Sequence, residues 1–265
     1  DYLKFIFYGI IQGLTEFIPV SSTAHLKILS LLFGINDPGY SLSAIIQIGS
    51  VFAIFWYFRK SIFNFKNTNY KISKHSFFSY KLCKSILIAT IPIVFIGAII
   101  KLFHPGFSDS FLRSNLSIAV VSILMSITMY FADNATNKLI NLNSHKYINS
   151  LCIGLAQAFA IIPGVSRSGA TISVALLSGW DRKDATKFSF FLSIPAISLA
   201  AFVEFLGAMN GFSSLPFLPL IVGLITTFFS SLLALDFLIK YVSSYGLKIF
   251  IYYRLVFGVL ILLNL

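Results

Sequence analysis

Charge is scarce in this sequence: 11% of its 265 residues are Asp, Glu, Lys or Arg, where a soluble domain carries roughly a quarter. A chain so poor in polar surface cannot clothe itself in water, so its outer face has to meet lipid. Cysteine is scarcer still. Cys83 and Cys152 have no metal-ligand spacing and build no disulfide framework. Acidic residues number 9 against 20 Lys and Arg, a net charge of +11. That excess does not mark a nucleic-acid partner, because no basic helix or aromatic-basic module accompanies it. The first apolar segment carries Gln12, Glu16 and Pro19 and lacks a small-residue cleavage site, so it is not a signal peptide. The chain begins at Asp1 rather than Met, and a residue or two is expected before it.

What is abundant is hydrocarbon, at 57% hydrophobic residues and a mean hydropathy of +0.86. Six segments, about 42–58, 84–103, 115–132, 187–207, 216–236 and 248–264, approach the ~20 residues that cross a bilayer as a helix. Two further regions, 1–34 and 148–179, are apolar but interrupted. The first breaks at Pro19-Val20-Ser21-Ser22-Thr23 and the second at Pro163-Gly164-Val165-Ser166-Arg167-Ser168-Gly169. Half-length apolar pieces around a polar turn predict re-entrant helix-loop-helix pairs, tolerated at depth only where protein or a wet cavity satisfies the backbone.

These regions resemble one another. Gln12 precedes Ile18-Pro19 and Gln157 precedes Ile162-Pro163; an acidic residue (Asp37, Asp181) and a Phe-rich span follow each. The prediction is a single all-α polytopic membrane domain over 1–265, built as two repeats. Residues 1–132 hold one re-entrant pair and three spans; residues 148–265 hold the other pair and three more. Three is odd, so the second copy enters the membrane inverted, with a shared site near the midplane. Charge supports this topology. Placing 59–84 inside puts 133–147, 180–187 and 237–248 inside too, and these four hold more than half of the Lys and Arg, as cytoplasmic loops do. Both termini are then outside. The basic loops can also touch anionic head groups.

Two constellations carry chemistry. In QGLTEFIPVSSTAH (12–25), Gln12 and Glu16 share one helical face, and a carboxylate inside an apolar segment is costly unless paired, metal-bound or facing a wet cavity. Ser21 or Ser22 is placed to cap the next helix, whose free N–H groups form an anion site. His25, one turn on, is expected to reach the Ser22 hydroxyl. The competing reading is a structural acid with serine caps. In IPGVSRSGAT (162–171), Arg167 is the lone base between about 148 and 179, and its planar fork suits phosphate. Ser166, Ser168 and Thr171 add hydroxyls, and Thr23 and Ser21 do so from the first motif. The competing reading pairs Arg167 with Glu16 or Glu204 for packing alone. Glu204, inside a span, is a weaker candidate for a metal or a proton. His75, His104 and His145 read as solvated, and Arg254 beside Tyr252-Tyr253 as structural.

Through these two motifs, with FSFFLSIPAI (188–197) and YRLVFG (253–258), the whole chain resembles the bacterial undecaprenyl-pyrophosphate phosphatases, the bacitracin-resistance family. The resemblance implies hydrolysis of undecaprenyl pyrophosphate to the monophosphate and inorganic phosphate at the outer face of the plasma membrane, recycling the lipid carrier for cell-wall synthesis. It implies a divalent cation, Mg²⁺ or Ca²⁺, at Glu16, and an inverted-repeat helical fold. It assigns Ser22 and His25 to catalysis and Ser166, Arg167, Ser168 and Thr171 to phosphate. Gln12 stands where other members carry glutamate or glutamine, which leaves one fewer negative ligand here. The nucleophile stays open between Ser22 activated by His25, a water molecule, and His25 itself. The alternative function is a lipid-phosphate transporter or flippase using the same head-group site. Expected partners are the polyprenyl lipid, bulk membrane lipid and, as an open option, a second copy of the chain in a homodimer.

Overall fold

A computed structural model describes residues 2–32, 39–63, 79–104, 107, 110–135, 139–208 and 216–263. Asp37, most of the basic loop (Lys66, Lys71, Lys74, His75) and the side chain of Glu204 lie outside the described residues. Among those described, ten α-helices make up the architecture: α1 (Tyr2–Phe17), α2 (Ser22–Leu32), α3 (Gly39–Phe63), α4 (Tyr80–Phe103), α5 (Asn115–Asp133), α6 (Tyr147–Ala158), α7 (Arg167–Leu177), α8 (Arg182–Ala208), α9 (Phe217–Tyr245) and α10 (Lys248–Leu263). Two residues pair as an isolated parallel bridge, Ile140 with Trp180.

By length and composition α4, α5, α8 and α9 are able to cross a membrane. Four of the six predicted spans fall on these helices, and the other two on α3 and the 16-residue α10; several helices run further than their apolar stretch. α3 continues through Arg59 and Lys60, α8 starts at Arg182, and α9 reaches Tyr245. Hydropathy sees the hydrocarbon-matched length, whereas capping sets the real ends. Asp181 accepts from the Asp184 N–H at 2.9 Å and so starts α8; Gly246, at φ +75°, ends α9. Ser79 and Ser114 cap α4 and α5 by accepting from Leu82 N–H and Ser117 N–H.

The helices sort into a centre and a rim. α8 is 61% buried over its apolar window and α4 only 22%, which makes α8 the post and α4 a wall whose Leu87, Ile91 and Phe95 face outward. α1 lies along α9, and α6 lies along α4; α10 packs on α5, and α3 on both α8 and α9. The first two contacts are glycine-mediated. A Cβ on Gly9 would stand 2.6 Å from the Gly223 carbonyl, and one on Gly154 would stand 2.3 Å from that of Ala89, so each broken helix touches its neighbour backbone to backbone.

At one end of the bundle the chain is tied by Asp133. This buried carboxylate pairs with Arg182 at 2.7 Å and accepts from the Leu247 N–H at 3.1 Å, joining the ends of α5, α8 and α10. Nearby, His145 is not solvated as its loop position suggests. It is 1% exposed, bonded to the Ser85 hydroxyl at 2.7 Å and packed on Trp180 and Phe188, because residues 139–146 fold back against α4 and the α7–α8 turn. His104, in contrast, is exposed.

Two outcomes follow. Gly154→Ala should lower stability in detergent by about 1–3 kcal/mol through overpacking, read as a fall in thermal midpoint. Gly97→Ala, where a Cβ meets nothing within 4 Å, should leave the midpoint unchanged or raise it. Burial holds the His145 imidazole below its ordinary value of 6.5, so the unfolded chain binds a proton that the folded chain refuses. Stability should therefore fall as pH drops through about 6.5, and His145→Gln should flatten that slope in a pH series of unfolding midpoints.

Candidate active site

Glu16 is the hub. On the last turn of α1, its Oε2 accepts from Gln12 Nε2 at 2.7 Å and from Ser22 Oγ at 2.9 Å. Its Oε1 accepts from Gln47 Nε2 and Arg167 Nη2, each at 3.1 Å. Four elements thus converge on one buried carboxylate: α1, the start of α2, α3, and the start of α7 across 151 residues of sequence. The buried Glu16–Arg167 ion pair is the pairing that the packing alternative anticipated. Arg167 is not used up by it, because its buried Nη1 has no partner among the described residues, a donor left over for a ligand.

Each broken helix ends at its proline turn, and each restarts after a serine in the left-handed region, Ser21 at φ 75° and Ser166 at φ 68°. A non-glycine residue there costs of order 1–3 kcal/mol, and such strain gathers at functional sites. α2 then begins at Ser22 and α7 at Arg167, with Ser166 Oγ accepting from the Gly169 N–H. Both helix N-termini border a cavity of about 210 Å³ whose polar lining includes Glu16, Ser21, Ser22, Thr23, Gln47, Ser166 and Arg167. Ile93, Ile161 and Ile197 close it on the apolar side. A space of that size is below the roughly 300 Å³ at which pockets for drug-sized ligands begin, so it suits an anionic head group.

Three expected site residues sit elsewhere. His25 does not reach Ser22. Its ring leans back one turn, as helical side chains do, and Nδ1 lies 2.8 Å from the Ser21 carbonyl. Nε2 lies 2.6 Å from the Tyr253 hydroxyl, and the ring stacks on Tyr253 and Phe257. Since a carbonyl only accepts, Nδ1 donates and Nε2 accepts from Tyr253, leaving no nitrogen for the serine. Ser168 and Thr171 are also turned from the cavity. Ser168 Oγ touches Ser166 Oγ at 3.3 Å, and Thr171 Oγ1 donates to the Arg167 carbonyl and meets Ser189 Oγ at 2.7 Å. They brace the loop. Gln47, by contrast, escaped the sequence reading, although a lone amide in an otherwise apolar span was the signal for it.

A helical membrane protein with a polar pocket, holding one arginine–glutamate pair, at two helix starts is the class that fold and site define. The chain belongs to the family described as bacitracin resistance protein BacA, whose family model matches residues 5–260. It is 77% identical over 265 residues to the undecaprenyl-diphosphatase of Prochlorococcus marinus subsp. pastoris, covering 100% of both chains. It is 45% identical to the undecaprenyl-diphosphatase of a Synechococcus species, over 96% of this chain and 91% of that one.

A double-mutant cycle tests the hub. Glu16→Gln and Arg167→Met should each destabilise by about 3–5 kcal/mol, since each strands a buried charge or its ligands. Together they should cost clearly less than the sum, measured by unfolding in detergent. Additive losses would show that the pair is not made.

Proposed function

We propose that this protein hydrolyses undecaprenyl pyrophosphate to undecaprenyl phosphate and inorganic phosphate, recycling the lipid carrier for cell-wall synthesis and so conferring bacitracin resistance. The observation that carries this reading is that Arg167, with one nitrogen lacking a partner among the described residues, and Ser22, bonded to a carboxylate, both line a cavity bordered by two helix N-termini. Donors of that kind hold a diphosphate and oppose the charge that develops on it. The full-length relatives carry the name of this hydrolase; a carrier or flippase has no support among them.

In the mechanism we infer, Arg167, the Ser166 and Thr23 hydroxyls and the starts of α2 and α7 orient the pyrophosphate. Ser22 Oγ attacks the terminal phosphorus and passes its proton to Glu16, which replaces His25 as base because it is the group Ser22 touches. The anhydride bond breaks and undecaprenyl phosphate leaves. Water then attacks the phosphoserine and leaves with both its protons on the released orthophosphate, while Glu16 returns the serine's proton to Ser22 Oγ. His25 and Gln12 hold the frame.

No group of three His, Cys, Asp or Glu side chains gathers among the described residues. The cavity nevertheless offers the Glu16 carboxylate, the Gln47 amide oxygen and the Ser22 and Thr23 hydroxyls. These are hard oxygen donors of the kind Mg²⁺ or Ca²⁺ takes when phosphates and waters complete its shell. Bound there, the ion would neutralise pyrophosphate charge.

Topology joins the proposal. Gly9-x-x-Gln12 and Gly154-x-x-Gln157, the left-handed Ser21 and Ser166, and the matched packing of α1 on α9 and α6 on α4 support an inverted repeat of one re-entrant pair and three spans. Gln47, Ile93, Ala196, Ile197 and Ala200 line the cavity from the halves of α3, α4 and α8 distal to the basic loops. That supports a site open to the outside of a bacterial plasma membrane, with both termini outside.

Purified protein in detergent should release phosphate from undecaprenyl pyrophosphate, lose that activity to a chelator, and lose at least about 100-fold on Arg167→Ala. No release from folded protein would reject the hydrolase. An acid-stable phosphoserine at Ser22 is expected during turnover; solvent oxygen entering phosphate in a single turnover without it would reject Ser22 as nucleophile.

A further inference from the structure

Arg254 on α10 is fully buried and, among the described residues, forms no ion pair. An unpaired cation inside a membrane domain is costly enough to mark a role. Its guanidinium holds backbone carbonyls instead. Nη1 donates to Pro19 O at 3.2 Å, Nη2 donates to Gly164 O, and Nε reaches Ser122 O at 3.5 Å.

The first two acceptors are equivalent. Pro19 stands two residues before the left-handed Ser21, and Gly164 two residues before the left-handed Ser166. One planar fork therefore grips, in both helix breaks, the carbonyl two residues before the left-handed serine. The third contact is reciprocal: Ser122 Oγ donates back to the Arg254 carbonyl at 3.3 Å, tying α5 to α10. The breaks also touch directly, Gly164 N–H to Ser21 Oγ at 3.3 Å. Next door, Tyr253 props His25 against the Ser21 carbonyl. Arg254 does not line the cavity, so it is no phosphate ligand.

We propose that Arg254 is a positioning residue whose guanidinium, by bridging Pro19 O and Gly164 O, sets the distance between the Glu16–Ser22 half and the Ser166–Arg167 half of the phosphate site. The proposal rests on the hydrolase reading for what the spacing serves. Its physical content is that a ligand with two phosphates has to span both halves, whereas one phosphate needs only one. Lysine cannot substitute, because an ammonium is a point charge without a planar fork.

The test compares the parent protein with Arg254→Lys in detergent, measuring pyrophosphate and orthophosphate affinity by titration calorimetry, thermal midpoint, and kcat and KM for undecaprenyl pyrophosphate. The expected result is pyrophosphate binding weakened at least about tenfold, orthophosphate binding within about threefold, and kcat down at least about tenfold at a preserved midpoint. If both affinities stay within about threefold, or fall equally, Arg254 does not set the spacing. A parent that binds neither anion overturns the proposal too. Binding is read apart from turnover, so a parent that binds pyrophosphate without cleaving it rejects the hydrolase reading and still lets the affinity ratio decide this one. Should Arg254→Lys fail to fold, Arg254→Gln, which buries no charge and reaches one carbonyl only, is judged by the same criteria.

Discussion

A carboxylate inside an apolar bundle is costly unless a cation or a full set of donors meets it. The contact between Glu16 and Arg167 is therefore the condition under which the other pieces find their places. It draws the ends of two broken helices, far apart in sequence, to one point. It leaves Glu16 with four donors, so the acid is satisfied before any ligand arrives. It also leaves Arg167 with one nitrogen unfilled among the described residues. Stability and readiness for an anion come from the same arrangement.

Broken helices bring backbone groups to a depth where no water is at hand, and each must find a protein partner. At these two breaks the partners are identifiable. The Gly164 N–H donates to Ser21 Oγ, the Ser21 carbonyl accepts from His25, and the Pro19 and Gly164 carbonyls accept from Arg254. Residues that a chemist would nominate as acids or bases are here occupied with holding main chain. His25 is the plainest case: its two nitrogens are engaged, and the serine it was expected to activate is bonded to the carboxylate instead.

The all-helical, apolar character of the fold and its two interrupted helices were legible from hydropathy, because both register as patterns of apolar length and spacing. The pairing of Arg167 with an acid was legible as the competing reading, without deciding between Glu16 and Glu204, because an unpaired charge in an apolar stretch is costly. Helix ends were less legible: Asp181 reads as a loop residue until its side chain is seen to cap α8. Orientation was not legible. His25, Ser168 and Thr171 lie within a turn of the cavity-lining residues, and nothing in the spacing says which way α2 and α7 are rotated. Gln47 was missed although a lone amide marked it, and Arg254 was read as structural without its partners, which are distant carbonyls that leave no mark on residue type.

The wall made by α4 has a kinetic meaning. Ile93 borders the cavity, while Ile91, Val94 and Phe95 on the same helix are exposed, so hydrocarbon chains of the surrounding bilayer and the anion site are separated by the thickness of one helix. A substrate that never leaves the bilayer then searches for this site in two dimensions, sideways rather than down from solution. On the proposed function, the quantity that sets its encounter rate is the mole fraction of substrate among membrane lipids, and diluting the membrane with inert lipid slows the reaction even when the bulk concentration is unchanged.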